Sequence, residues 1–133
     1  MLMPTVHRYM TLNPHTVTPY QPVASAHRLM REHGFHHVPV VEDGRLVGTI
    51  SDRDLRLVRV GIADPDKVCV GEVMNADALA VTAEMPLDEA IELMSTSRCD
   101  SLIVLDKTGG VVGIMTSTDA LWALTDLLRR EAA

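Results

Sequence analysis

The sequence predicts an α/β fold of two pseudo-symmetric repeats, each a small sheet with two packed helices, and three observations carry that prediction. A phrase ending in Ser/Thr-x-x-Asp occurs twice, as Gly48-Thr49-Ile50-Ser51-Asp52-Arg53-Asp54 and Gly113-Ile114-Met115-Thr116-Ser117-Thr118-Asp119, 65 positions apart. Upstream, the two halves align without a gap at an offset of 64: Met10 with Met74, Val17 with Val81, Pro22 with Pro86, Ala26 with Ala90, Met30 with Met94, Val40 with Val104. Each half also passes from helical to strand periodicity in the same order. The offset grows by one where Glu42-Asp43-Gly44-Arg45 becomes Asp106-Lys107-Thr108-Gly109-Gly110. A hairpin tip is where a duplicated fold tolerates an insertion.

Taken in order, each half opens with a short extended piece, Thr16-Val17-Thr18 or Ala80-Val81-Thr82. A helix follows from Pro22 or Pro86, since proline suits a first helical turn. Leu87, Ala90, Ile91 and Met94 fall at i, i+3, i+4, i+7, and Val23, Ala26, His27 and Met30 hold the matching places. Gly34 is the expected stop of the first of these helices. Two apolar runs with a polar turn between them predict a hairpin in each half. These are Val38-Pro39-Val40-Val41 with Leu46-Val47-Gly48-Thr49-Ile50, and Leu102-Ile103-Val104-Leu105 with Val111-Val112-Gly113-Ile114-Met115. Pro39 cannot donate to a ladder, so its strand is expected to be an edge or irregular there. A second helix ends each half. In the C-terminal one, Ala120, Leu121, Leu124, Leu127 and Leu128 form an apolar face, and Arg129-Arg130 suit the last turn. The repeats are placed at 6–62 and 70–130, joined by 63–69. Halves of some 60 residues are small for independent cores, so one cooperative module is expected.

Composition narrows the function. Among 133 residues 47% are hydrophobic but only 3% aromatic, so the core is aliphatic with eight Met to fill it adaptably. A net charge of −6 repels polyanions and argues against nucleic acid as a partner. Cys69 and Cys99 form neither a CxxC pair nor a disulfide framework and suit a reducing compartment. No signal peptide is evident at the start, and no apolar run approaches the roughly 18 residues a membrane span needs. A cytoplasmic protein with no membrane partner is expected.

Ser51 and Thr116 stand where a strand gives way to a helix, the preferred N-cap position, with Asp54 and Asp119 three residues on. From the residues alone, two readings stay open. One is a capping box with Asp in the place of Glu, which is the commoner reading of such spacing. In the other, the helix N-terminus faces phosphate while the carboxylate accepts hydrogen bonds from ribose hydroxyls.

The whole pattern resembles a tandem pair of cystathionine-β-synthase (CBS) domains. His36-His37-Val38-Pro39-Val40-Val41-Glu42-Asp43-Gly44 and the openings Val6…Met10 and Val70-Gly71-Glu72-Val73-Met74 are similar to the stretches that mark this family, and the likeness runs from about residue 6 to 130. The resemblance implies a stand-alone regulatory sensor and not a catalyst. It would bind AMP, ADP, ATP, NAD or S-adenosylmethionine in clefts between the repeats. It would pair as a homodimer through its helices and signal to an effector protein. The adenine nucleotide is then a regulatory ligand, and no catalytic cofactor or metal is implied. Carried over, Asp54 and Asp119 hold ribose, and Ser51, Arg53, Thr116 and Thr118 lie at the phosphate end. Thr16, Val17, Val38, Pro39, Val81, Leu102 and Ile103 surround adenine, with His36 and His37 as further phosphate contacts. The copies differ: Arg53 answers to Thr118, Pro39 to Ile103, and Gly34 to Arg98. Phosphate-bearing ligands are therefore expected at the Asp54 site and less charged adenosyl compounds at the Asp119 site. Two alternatives are a ligand-independent interaction module and a metal-binding stress protein that uses the histidines. No nucleophile with a base at motif spacing, P-loop or GxGxxG argues for catalysis.

Overall fold

A computed structural model describes residues 2–60 and 64–133. Gly61, Ile62 and Ala63, where the first repeat was expected to end and the linker to begin, lie outside the described residues. In chain order the elements are a 3₁₀ turn (Val6–Arg8), β1 (Thr11–Leu12), α1 (Val23–His33), β2 (His37–Glu42) and β3 (Arg45–Ser51). There follow α2 (Asp52–Val60), α3 (Val70–Val73), β4 (Ala80–Val81), α4 (Leu87–Ser97), β5 (Ser101–Leu105), β6 (Val111–Thr116) and α5 (Ser117–Ala132). No helix among the described residues is long and apolar enough to cross a membrane.

Two compact units result, and they cut across the sequence repeats. One gathers Pro14–Ala78 with Gly109–Val111; the other gathers the residues up to Asn13 with Leu79–Thr108 and Val112–Ala133. Each repeat therefore gives its opening segment to the unit built on the other repeat's hairpin. In the first unit, β2 and β3 pair antiparallel, Val17 bridges to Val40 on one side, and Asn75 bridges to Thr49 on the other. In the second the order is β1-β6-β5-β4, with Thr11 opposite Ile114 and Val81 parallel to Val104. The two patterns match position for position.

The helices begin and end as their sequences dictate. Pro22 and Pro86 precede the first helical residue, one place earlier than a first-turn proline, where a missing N–H costs nothing. Gly34 closes α1 in the left-handed region at φ 73°, and its N–H returns to the Met30 carbonyl. Arg98 closes α4 in the same way at φ 53° without glycine's freedom, a strain of about 1 kcal/mol. Inward faces follow the expected stripes. Val23, Ala26 and Met30 pack with Val17, Val38, Val40, Ile50 and Leu55 in one core. Leu87, Ala90 and Met94 pack with Val6, Val81, Leu102, Val104 and Met115 in the other.

Pro39 explains a difference between the units. Ile103 donates its N–H to the Leu79 carbonyl, which lets β4 run two residues beside β5. Pro39, at the matching place in β2, has no N–H to give the His15 carbonyl, so the pairing shrinks to the Val17–Val40 bridge. A bulge follows between Val40 and Val41. The strand is irregular as expected, but Val17 flanks it, so it is not a bare edge. His15 is held by its ring instead. It stacks on His33 at 4.1 Å between centroids, and Phe35 lies parallel to both.

In the second unit the Tyr9 hydroxyl donates to Asp126 Oδ2 at 3.0 Å, tying the opening segment to α5. Burial first, and then Asp126, raise the Tyr9 pKa above its usual value. The folded state thus holds the phenol proton more tightly than the unfolded chain. The stabilisation is complete below about pH 10 and is lost as pH rises through the folded value. Tyr9→Phe is expected to cost about 1 kcal/mol or less near neutrality, because the pair is only part-buried, and to flatten the alkaline decline. Urea melts at about pH 8 and about pH 11 test this. Equal losses in both proteins between those pH values would leave the pair without a role.

Candidate functional site

Each strand-to-helix joint forms a closed box. In the first unit the Ser51 N–H and Oγ–H both donate to Asp54 Oδ2, at 2.8 and 3.0 Å, and the Asp54 N–H returns to Ser51 Oγ at 3.3 Å. In the second, the Thr116 N–H and Oγ1–H donate to Asp119 Oδ2 at 2.8 and 3.2 Å, and the reciprocal bond is present. The capping reading is therefore correct for both copies. Such a cap is worth about 1 kcal/mol. It does not exclude a ligand. Both carboxylates are part-buried, and the bonds that close each box fall on Oδ2.

Each box thus engages the hydroxyl of Ser51 or Thr116 as a cap. The helix N-terminus is largely spent as well. The Asp52 N–H goes to the His36 carbonyl at 2.9 Å and the Ser117 N–H to the Asp100 carbonyl at 3.0 Å. Arg53 and Thr118 are both exposed on the first helical turn.

The structure brings His36 and His37 to the first box: His36 through its bond to Asp52, His37 opposite Ser51 across the hairpin. Among the described residues no three His, Cys, Asp or Glu side chains gather as metal ligands. Burial pushes the Cys99 thiol above its usual pKa, away from the reactive thiolate.

The residues expected around adenine divide by strand alternation. Val38 and Leu102 pack in their own units' cores with Val17 and Val81. Pro39 and Ile103, one residue on, face the opposite side of the sheet and are fully buried. The Val17 N–H bonds to Pro39 and its carbonyl to Val41, so its own backbone is occupied. Thr16 beside it is exposed. Sequence reading missed α3, whose Cys69 N–H is capped by Glu72 at 2.8 Å, and the glycine contacts behind each box. A Cβ on Gly48 would lie 2.7 Å from the Asn75 carbonyl oxygen, and one on Gly113 2.7 Å from Met10 Sδ. The paired conservation of Gly and Met across the two copies was the available signal.

Duplicated α/β modules with a Ser/Thr-x-x-Asp box at each strand-to-helix joint form a recognisable class. The chain belongs to the CBS domain family, whose pattern matches residues 6–61 and again 70–126. The CBS domain-containing protein YhcV of Bacillus subtilis is 32% identical over 117 residues, 88% of this chain and 83% of that protein. Inosine-5'-monophosphate dehydrogenase of Thermoplasma acidophilum is 33% identical over 107 residues, 80% of this chain; the match spans only 21% of that enzyme's length. AcuB from Vibrio cholerae superposes with a TM-score of 0.85 at 30% identity, covering 99% of this chain and 98% of that one. The CBS domain pair of MJ0100, in complex with 5'-methylthioadenosine and S-adenosyl-L-methionine, gives 0.81 at 25% identity, covering 90% and 98%. CBSX2 in complex with AMP gives 0.78 at 29% identity, covering 93% and 98%.

Proposed function

We propose that this chain is a regulatory module and not a catalyst, and that it binds an adenosine compound at the Asp54 and Asp119 boxes. On this reading the repeats at 6–62 and 70–130 are its two halves, and it passes its state to an effector protein. The observation that carries the reading is the part-buried carboxylate that each box fixes through its Oδ2. A carboxylate oxygen fixed in place by its partner's cap suits the adjacent hydroxyls of a ribose, and related modules are known in complex with AMP, 5'-methylthioadenosine and S-adenosylmethionine. Arg53, with His36 and His37 beside it, supplies the cationic end for phosphate at the first box. Thr16, exposed beside Val17, attends the base there. Regulation follows by population shift, in which the ligand favours the arrangement it binds best.

The second element of the proposal is pairing with another copy through α5. Leu121, Trp122 and Leu128 are about 60% exposed, at 64, 60 and 59%, and Leu124 and Leu127 are also exposed. α5 seats itself on Ala120 and Ala123 and turns its leucines outward.

Asp54→Asn and Asp119→Asn test the ribose role without removing the caps. The amide oxygen still accepts the Ser51 or Thr116 N–H, while the NH₂ group then faces the ribose and cannot accept from it. Calorimetric titration of wild type with AMP, ATP, NAD and S-adenosylmethionine is expected to show binding. Each substitution is expected to weaken its own site by about tenfold to hundredfold. No binding by wild type below millimolar would end the sensor reading in favour of a ligand-independent module. Undiminished binding by both variants would end the site assignment.

A further inference from the structure

We propose that His15, His33 and Phe35 position the base at the first box: their stacked rings hold the Thr16 segment where, in the second unit, a backbone hydrogen bond holds its counterpart. This rests on the adenosine reading above and adds to it three positioning residues that act through Thr16 without touching the ligand. The argument starts from Pro39. In the second unit the Ile103 N–H bonds to the Leu79 carbonyl at 2.9 Å, directly before Ala80, which answers to Thr16. In the first unit that bond would run from residue 39 to the His15 carbonyl, and a proline has no N–H to give. The bonds that join this segment to β2 begin at Val17. Its N–H goes to the Pro39 carbonyl at 3.1 Å, and its carbonyl takes the Val41 N–H at 2.8 Å. Thr16 lies one residue outside them. A residue at the fringe of a ladder needs another anchor before it can offer a ligand a fixed edge.

The ring of His15 supplies that anchor. His33 is the last residue of α1, and Phe35 is the first beyond the left-handed stop at Gly34. Their rings lie 5.6 Å apart and within 7° of parallel. The His15 ring lies 4.1 Å from His33 and 5.8 Å from Phe35, tilted by 25° and 20°. Both imidazoles are exposed, but Phe35 packs against the core of Val17, Val38 and Val40, which ties the cluster to the interior of its unit. The matching residues of the second unit are Leu79, Ser97 and Cys99, none of them aromatic. The rings thus occur where proline removes the backbone bond and are missing where isoleucine provides it. A stacked ring pair and one backbone hydrogen bond stabilise by comparable amounts, so one can replace the other.

The test uses the Asp119→Asn protein, in which the second box is weakened. It is titrated calorimetrically with AMP, ATP and S-adenosylmethionine, each beside the analogue that carries hypoxanthine in place of adenine. Adding His33→Ala is expected to weaken the adenine compound by about threefold to tenfold. The preference for adenine over hypoxanthine is expected to fall by the same factor, because ribose and 5' contacts are shared. His33→Phe keeps a ring and is expected to bind as its parent does. Pro39→Val returns the backbone donor, and in that background His33→Ala is expected to change affinity by less than about twofold. Urea unfolding checks that each variant is folded; should Pro39→Val not fold, His33→Ala against His33→Phe decides. Equal losses for both bases would reduce the cluster to a stabilising contact and overturn the inference, as would unchanged binding by His33→Ala. A loss undiminished in the Pro39→Val background would overturn the exchange of ring for hydrogen bond. Each of these leaves the adenosine reading intact. No binding of any of the three adenine compounds by the Asp119→Asn protein would end that reading of the first box, and the inference with it.

Discussion

Gly48→Ala is expected to destabilise the protein by about 3 kcal/mol, and Gly113→Ala by about 1 kcal/mol, although the two glycines hold the same place in the two copies. The added Cβ at Gly48 would sit 2.7 Å from the Asn75 carbonyl oxygen and 2.8 Å from Met74 Sδ. That carbonyl accepts the Thr49 N–H at 3.0 Å, and the Asn75 N–H returns to the Thr49 carbonyl at 2.8 Å. Relieving the clash therefore means breaking or stretching a reciprocal pair of backbone bonds inside a sheet. At Gly113 the nearest atoms are all in the Met10 side chain, with Sδ at 2.7 Å and two carbons at 3.2 Å. An unbranched thioether can rotate away at modest cost. Urea unfolding of both variants settles the point, and equal losses or the reverse order would refute it. Function is coupled to the same contact. Gly48 lies three residues before Ser51 on β3, so a displaced strand would carry its box with it, and weaker ligand binding by Gly48→Ala should accompany the lost stability.

The repeats, hairpins and helix stripes could be read from the sequence because each depends on contacts within a few residues. Alternation in Leu46–Ile50, the i, i+3, i+4, i+7 run from Leu87 and the αL stop at Gly34 are local properties. The exchange of opening segments is not local. Nothing in the vicinity of Thr11 says that it will pair with Ile114 and not with its own repeat's β3, because that choice is made by a distant edge of equal chemistry. The four residues of α3 are too few to show a helical period. The sequence shows one apolar face on α5, whereas the structure divides it: Ala120 and Ala123 pack in the core with Val81, Leu102 and Met115, and the leucines are exposed. At the boxes the spacing gave both the cap and the carboxylate, but only the geometry shows that Oδ2 of Asp54 and of Asp119 is the atom that closes each cap.

That outward leucine face leads to the second large effect. Wild type is expected to sediment at about twice its 14.6 kDa chain mass, and the double substitution Leu121→Glu, Leu128→Glu at the single-chain value. A two-fold pairing buries each leucine twice, once from each copy, and removing a leucine from water is worth about 1.5–3 kcal/mol. Placing four carboxylates in such an interface would reverse that gain and add repulsion between them. Both positions are solvent-exposed in the single chain, so the variant's own core is untouched. Trp122 provides a second readout, because it is the only tryptophan and is itself 60% exposed on this helix. Pairing should shift its emission to shorter wavelength, dilution should shift it back, and the double variant should show the long-wavelength form throughout. A wild-type mass of one chain at concentrations up to the order of 100 μM would sink the pairing proposal. The leucine face would then be left for the effector protein. An undiminished mass in the double variant would place the contact on another surface. If pairing and ligand binding are linked, a saturating adenosine compound must change the dissociation constant of the pair by the same factor by which pairing changes the affinity for ligand. Sedimentation with and without ligand therefore measures the coupling on which any signal to an effector depends.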